Sequence, residues 1–136
     1  LFSMNSFAQE SGAKWLTNYQ EALVLSKKEN KPILMNFSGS DWCANCMRLE
    51  KVVFVTEAFK TFANEYVVLL KLDFPAKKKN KLSAEMTKQN DGLAEKFNKT
   101  GAWNLPVIDN GKYVGFVSKS KLFNAYRKVL QNFSDE

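Results

Sequence analysis

The chain has 136 residues, a net charge of +6 and an apolar fraction of 45%. This length suits a single domain with its own hydrophobic core, and no apolar run is long enough to span a membrane. Many of the excess lysines fall between Lys77 and Lys81, without the aromatic and basic stripe of a nucleic-acid platform, so we expect no nucleic-acid partner.

Residues 1–13 differ in character from the rest of the chain. Ser6, Phe7 and Ala8 fit the small-x-small pattern at which secretory signals are cleaved, and the alternative for this stretch is a disordered end. We assign 1–13 to a residual signal or disordered segment and 14–133 to the folded domain. We expect a bacterial protein that is periplasmic or otherwise exported. The cytoplasm is the alternative, because a single cysteine pair suits either compartment.

The first helix and strand are predicted from hydrophobic spacing. Apolar residues three and four positions apart predict an amphipathic helix from Lys14 to Glu29. Pro32 prevents its continuation, and the apolar run from Ile33 to Phe37 is typical of a buried strand.

Two helices are expected next. Met47 and the apolar residues after it predict a helix that β-branched residues weaken near Phe54. Thr56 is a suitable N-cap for a second helix over 57–65.

The second half is predicted to contain three strands and two helices. The run from Tyr66 to Phe74 is the clearest strand, and Ser83 is a suitable N-cap for a helix that ends near Phe97. Apolar stretches over 102–108 and 112–117 flank an Asn-Gly pair, which favours a tight hairpin. A closing helix follows from about residue 119.

This order of elements predicts an α/β fold. Alternating strands and helices imply parallel pairing through right-handed crossovers, and the late hairpin adds an antiparallel strand. We therefore expect a mixed central sheet that is covered by helices on both faces.

The two cysteines of the chain, Cys43 and Cys46, stand between the first predicted strand and the helix that follows it. Cys-x-x-Cys at a helix start is typical of a pair that exchanges disulfides. At the first turn, Cys43 would face unpaired backbone N–H groups and the positive end of the helix dipole, and both favour the thiolate. Cys46 would lie one turn further on and close the ring.

Three other interpretations of the pair carry less weight. A zinc site needs about four ligands, whereas the chain has two Cys and no His, so carboxylates would have to complete it. A structural disulfide across so short a loop stabilises little. Inert buried cysteines do not fit their place between strand and helix. No metal ligand set is therefore assigned.

The chain resembles the thioredoxin-like superfamily, in particular its exported branch of disulfide reductases and isomerases. The residues that carry the resemblance run from about Trp15 to Leu130, and they are Lys31-Pro32-Ile33-Leu34, Phe37 to Cys46, Leu72-Asp73-Phe74-Pro75 and Asp109-Asn110-Gly111-Lys112. The resemblance implies a thioredoxin fold, with Cys43 as the attacking thiol and Cys46 as the resolving thiol.

Three features depart from the pattern of that family. Asn36 stands where thioredoxin has a buried Asp that relays the proton of the second cysteine. Ala44 and Asn45 separate the cysteines, and neither they nor Asp41 stabilise a thiolate as a His would. Pro106 is the candidate for the cis-proline of the family, but it stands close to the hairpin turn, and the expected place is nearer Trp103.

These observations predict a thiol–disulfide oxidoreductase of the reductase or isomerase type, with a reducing or intermediate potential and no cofactor besides its own cysteine pair. Its partners would be protein disulfides and an upstream thiol reductant, and we expect a monomer. Residues expected to support substrate binding are Asp41, Trp42, Ala44, Asn45, Trp103 and Pro106. The alternative is a binding module of the same fold that uses the face around Trp42, Trp103 and Pro106.

Overall fold

The computed structural model describes residues 13–134, with side chains as far as Lys128. The proposed cleavage pattern at residues 6–8 lies outside the described residues. The strands are β1 (Trp15–Leu16), β2 (Ile33–Ser38), β3 (Val68–Asp73), β4 (Asn104–Asp109) and β5 (Lys112–Ser118). The α-helices are α1 (Tyr19–Glu29), α2 (Ala44–Leu49), α3 (Glu57–Tyr66), α4 (Ala84–Phe97) and α5 (Lys119–Ser134).

The five strands form one mixed sheet in the order β1-β3-β2-β4-β5. β3 pairs in parallel with both β1 and β2, while β4 pairs antiparallel with β2 and β5. The predicted mixed sheet is therefore confirmed. β2 lies in the centre and is buried along its whole length, which places the residues that follow Ser38 at the end of a rigid strand.

Helices cover both faces of the sheet, as predicted. On one face, residues of α1 and α4 such as Ala22 and Leu93 pack against Ile33, Met35 and Phe37 of β2. On the other face, a group of aromatic residues packs with Leu34, Leu69 and Leu105. The group comprises Trp15, Phe54, Phe59, Trp103, Phe123 and Tyr126.

The prediction for the first helix was wrong at its start. Trp15 and Leu16 form β1, with Trp15 opposite Leu69, instead of the first helical turn. The helix begins later because the Asn18 side chain accepts a hydrogen bond from Glu21 N at 2.9 Å and so caps it. Sheet pairing and this cap outweigh the apolar spacing that extended the predicted helix back to Lys14.

The helix after the cysteines bends where the β-branched residues predicted a break. α2 continues as a π-helical turn over Glu50–Phe54. Thr56 then caps α3, with its hydroxyl accepting from Phe59 N at 3.1 Å. The change of direction carries Val53 and Phe54 into the core.

The predicted boundaries of the other elements agree closely with the structure. β3 begins at Val68, because Tyr66 is still part of α3. Ser83 caps α4 as predicted, and Asn110 and Gly111 turn the hairpin with φ of 56° and 77°. Positive φ at both central residues matches the right-handed twist of the paired strands. No helix of the described part of the chain combines the length and the apolar character needed to cross a membrane.

Candidate active site

Cys43 occupies the N-cap position of α2. Its backbone is extended, with φ −95° and ψ 101°, and its Sγ accepts a hydrogen bond from Cys46 N at 3.2 Å. An N–H group directed at a sulfur stabilises negative charge on that sulfur. The predicted place of Cys43 at the mouth of a helix is therefore confirmed.

The two cysteines are joined in a disulfide, with 5.2 Å between their Cα atoms. Both residues are half-buried, so the bond lies near the protein surface at the C-terminal end of β2. The first turn of α2 places the two sulfurs within bonding distance. The arrangement permits an attacking and a resolving sulfur to act in sequence.

Ser40 and Trp42 fix the loop between β2 and α2 to the end of β3 and the residue after it through three hydrogen bonds. The Ser40 hydroxyl donates to Asp73 Oδ2 at 2.6 Å, and Ser40 N donates to Asp73 Oδ1 at 3.0 Å. Trp42 Nε1 donates to the Phe74 carbonyl at 2.7 Å. These hydrogen bonds limit the freedom of the loop, so Cys43 is held in position.

Asp41 is directed toward the lysine-rich connection and not into a buried site. Its carboxylate accepts from Ala76 N at 2.9 Å, Lys77 N at 3.0 Å and Asn80 Nδ2 at 2.9 Å. The hydrogen bond from Ala76 N is the main cause that lowers the pKa of Asp41 to about 2, with Asn80 contributing next. Its negative charge is thus engaged by donors of the neighbouring loop, which reduces the influence we expected on the cysteines.

Trp42 presents an apolar surface beside the disulfide, with 60% of the residue exposed. Its indole packs so closely on Gly39 that a Cβ at residue 39 would lie 2.6 Å from Nε1. Ala44 and Asn45 are also exposed, in the first turn of α2. The structure therefore brings Asp41, Trp42, Ala44 and Asn45 together with the cysteines, and their proposed roles in substrate binding remain predictions.

A cavity of about 260 Å³ opens beside Cys46. Asn36 is buried on β2 and lies opposite Lys71 of β3 in the strand register. The residues that line the cavity with Cys46 are Ser38, Ser40, Met47, Glu50, Lys51 and Lys71. Glu50 is the carboxylate of this lining, so a proton acceptor other than residue 36 is available near the second cysteine.

Trp103 lies close to α2, whereas Pro106 does not occupy the position of the family cis-proline. Trp103 is half-buried and lines a cavity together with Asn45. Pro106 is buried inside β4, opposite Phe116, and none of the described peptide bonds is cis. β4 begins at Asn104, within the stretch predicted as the first hairpin strand, so Pro106 lies inside the strand and not before it.

A buried lysine lies beyond the last paired residues of β2 and β4. The two strands pair only as far as Leu34 and Val107, and the next residue of β4, Pro106, has no N–H to donate. Lys119 Nζ donates instead to the Phe37 carbonyl at 3.0 Å and lies 4.4 Å from the Trp103 ring centroid. Lys119 is 2% exposed, and burial lowers its pKa to about 8.

Sequence reasoning included Gly39 and Asp73 only in the family resemblance, and it assigned no site role to them, to Glu50 or to Lys119. The sequence signal for Gly39 was its place in a short loop three residues before Trp42. The roles of the other three depend on contacts between distant parts of the chain. Among residues 13–134, no group of three or more Cys, Asp or Glu is placed to hold a metal ion.

The chain is similar to known redox proteins over most of its length. A family model described as thioredoxin-like matches residues 14–108. The disulfide bond reductase DsbH of Chlamydia pneumoniae is 36% identical over 92 residues, which are 68% of this chain and 54% of that protein. The chain thus spans about half the length of this relative.

Two solved structures have folds similar to that of this chain. A structure described as DsbH oxidoreductase aligns with a TM-score of 0.72 and 31% identity, covering 85% of both chains. A thioredoxin from Thermus thermophilus aligns with a TM-score of 0.58 and 15% identity, covering 88% of both chains. At 15% identity, the alignment with the Thermus thermophilus thioredoxin shows similarity of fold only.

Proposed function

Since the chain belongs to the thioredoxin-like family, we propose that it is a thiol–disulfide oxidoreductase that reduces disulfides of protein substrates through Cys43 and Cys46. The observation that carries this proposal is the disulfide at the start of α2, where Cys46 N–H is directed at Cys43 Sγ. The similarity to a relative named a disulfide bond reductase supports the reducing direction.

The exchange proceeds in two steps from the reduced pair. The Cys43 thiolate attacks one sulfur of the substrate disulfide, forms a mixed disulfide and releases the other substrate sulfur as a thiolate that takes up a proton. Cys46 then loses its proton and attacks Cys43 Sγ, which expels the second substrate sulfur. The substrate gains two electrons, and the Cys43–Cys46 disulfide remains to be reduced by an upstream thiol.

The thiolate of Cys43 is stabilised mainly by the backbone. The N–H groups of the first turn of α2 supply partial positive charge, and the chain contains no His to add more. A thiolate with only this support is moderately stable, so the reduced form is not strongly favoured. We therefore propose a reducing or intermediate potential and not that of a strong oxidant.

The proton of Cys46 leaves through the cavity beside it. Asn36 is an amide and cannot accept a proton, whereas the cavity that Cys46 lines contains the carboxylate of Glu50 and the ammonium of Lys71. We assign Glu50 as the proton acceptor during resolution.

We further propose that the protein acts after export, in the bacterial periplasm, as a monomer. The small-x-small pattern before the domain supports export. The natural partners would be disulfide-bonded proteins and a thiol reductant, and the exchange needs no cofactor besides the cysteine pair.

An insulin reduction assay tests the proposed function. Wild type is expected to reduce insulin with dithiothreitol as the source of electrons, Cys43→Ser to be inactive, and Cys46→Ser to be strongly impaired. Equal and negligible turnover of wild type and Cys43→Ser would instead favour the binding module, which needs no exchange.

A further inference from the structure

A cleft separate from the cavity at Cys46 opens between α2 and the first turns of α5. Its volume is about 240 Å³, and it begins at Asn45, between the two cysteines. Arg48, Trp103, Ser120, Phe123 and Asn124 also line it. The cleft therefore lies against the helix that Cys43 caps.

The lining of the cleft is suited to an anion. It contains one guanidinium, two side-chain amides and one hydroxyl above an apolar floor, and none of its described residues is acidic. Arg48 forms no ion pair with any residue of the described part of the chain. Its charge-assisted donors are therefore available to a ligand, and a guanidinium prefers the two oxygens of a carboxylate.

Arg48 is also held in place. Its Cζ lies 5.2 Å from the centroid of the Phe123 ring, and Arg127 Cζ lies 5.9 Å from the same centroid. Stacking on an aromatic ring restricts a guanidinium and leaves the N–H groups at its edge free. Both arginines contact the ring, but only Arg48 lines the cleft.

We infer that this cleft binds the carboxylate of an Asp or Glu in the substrate polypeptide, a few residues from the cysteine that bonds to Cys43. This inference rests on the proposed function and names the substrate class. Arg48 comes five residues after Cys43, which corresponds to about 7.5 Å along a helix axis. An extended chain advances about 3.3 Å per residue, so a residue two or three positions from the bonded cysteine spans a comparable length. The Asn45 and Asn124 amides and the Ser120 hydroxyl would bind the polypeptide backbone.

Two disulfide peptides of identical length test the inference, one with Glu and the other with Gln two residues from the cysteine. Wild type is expected to favour the Glu peptide roughly tenfold in kcat/KM, mainly through KM, because a charge-assisted bond is the difference. Arg48→Gln should bring the ratio close to one. Arg127→Gln is the matched control and should keep the wild-type ratio.

Three further measurements distinguish failure of the proposed function from failure of the inference about the cleft. Turnover of the Gln peptide tests the proposed function by itself. Versions of both peptides with Ser in place of Cys test the cleft without any exchange. The oxidised protein is titrated with each of them, and isothermal calorimetry measures the binding. Tighter binding of the Glu version in wild type, lost in Arg48→Gln, supports the cleft, and equal binding overturns it. Oxidised glutathione tests whether the carboxylate belongs to a small molecule and not to a polypeptide. If Arg48→Gln reduced glutathione disulfide more slowly than wild type but reduced the Glu peptide at the wild-type rate, the inference would be overturned.

Discussion

The indole of Trp42 occupies the space that a side chain at Gly39 would need. Trp42 can therefore extend over the loop and donate to the Phe74 carbonyl at 2.7 Å only because residue 39 has no Cβ. The glycine thus positions both the exposed apolar surface of the site and the loop that leads to Cys43.

Gly39→Ala is expected to displace the Trp42 indole and break its hydrogen bond to Phe74. Because the indole is largely exposed and can move aside, the loss of stability should be about that of one hydrogen bond, roughly 0.5–1.5 kcal/mol. Disulfide reduction should slow because the loop before Cys43 is no longer fixed. Denaturant unfolding and tryptophan fluorescence measure both effects.

Gly92→Ala is the matched control for that change. A Cβ at residue 92 meets nothing within 4 Å, and the residue lies inside α4. The change should stabilise the protein by about 0.5–1 kcal/mol. If Gly39→Ala were as stable as Gly92→Ala, the close packing of Trp42 on Gly39 would have no energetic consequence.

Glu50→Gln is expected to slow the second step of exchange and leave the first unchanged. If Glu50 accepts the proton of Cys46, its amide variant should release the substrate from the mixed disulfide at least roughly tenfold more slowly at pH 7. Rapid acid quench and mass spectrometry measure both steps. Glu57→Gln, at the start of α3 and away from the cavity, is the control. Equal release rates in both variants would show that the proton takes another path.

Lys119 is expected to make stability rise with pH in the alkaline range. Burial lowers the pKa of Lys119 in the folded protein to about 8 from its ordinary value of 10.5. Between these two values the unfolded chain retains a proton that the folded chain has lost, so unfolding becomes less favourable as pH rises. The free energy of unfolding of the oxidised protein should gain on the order of 1–2 kcal/mol between about pH 7.5 and 9.5.

Lys119→Met should remove this dependence on pH, because methionine fills the site without a charge. The variant leaves the Phe37 carbonyl without its donor, so its stability at any one pH is less informative than the slope. Lys121→Met, in the same helix and exposed, should keep the wild-type slope. A slope that persists in Lys119→Met would assign the titration to another group.

The potential of the cysteine pair is expected to be reducing or intermediate. Backbone donors alone stabilise the Cys43 thiolate, so equilibration with glutathione should give a value between about −270 mV, as in thioredoxin, and about −180 mV, as in protein disulfide isomerase. A value near −120 mV, typical of strong periplasmic oxidants, would mean that the thiolate has a source of stabilisation that we have not identified.

The sequence predicts local features of this molecule better than features that depend on strand ends. Turn and cap rules correctly located the hairpin turn and two helix starts, at Asn110-Gly111, Ser83 and Thr56, because each depends only on residues close by in the sequence. Trp15 shows the limit, because its pairing with Leu69 is a long-range contact that overrides its helical spacing. The cysteine pair was predictable, since its chemistry is contained in four consecutive residues.

The surroundings of the pair were less predictable for the same reason. Asp41 looked like a charge beside the thiol, and only the approach of residues 76–80 shows where the carboxylate is directed. Lys119 looked like a surface lysine at the start of a helix. It is buried beyond the last paired residues of β2 and β4, where it donates to the Phe37 carbonyl, and no local pattern could indicate this contact.

Trapping the mixed disulfide tests the central claim most directly. Reduced Cys46→Ser, incubated with a disulfide substrate, should accumulate one covalent adduct, and peptide mapping should place it on Cys43. Reduced Cys43→Ser should form little adduct, since Cys46 lies within the helix and lacks the N-cap position. Absence of an adduct in Cys46→Ser, or a faster reaction of Cys43→Ser through Cys46, would contradict the assignment of Cys43 as the attacking sulfur.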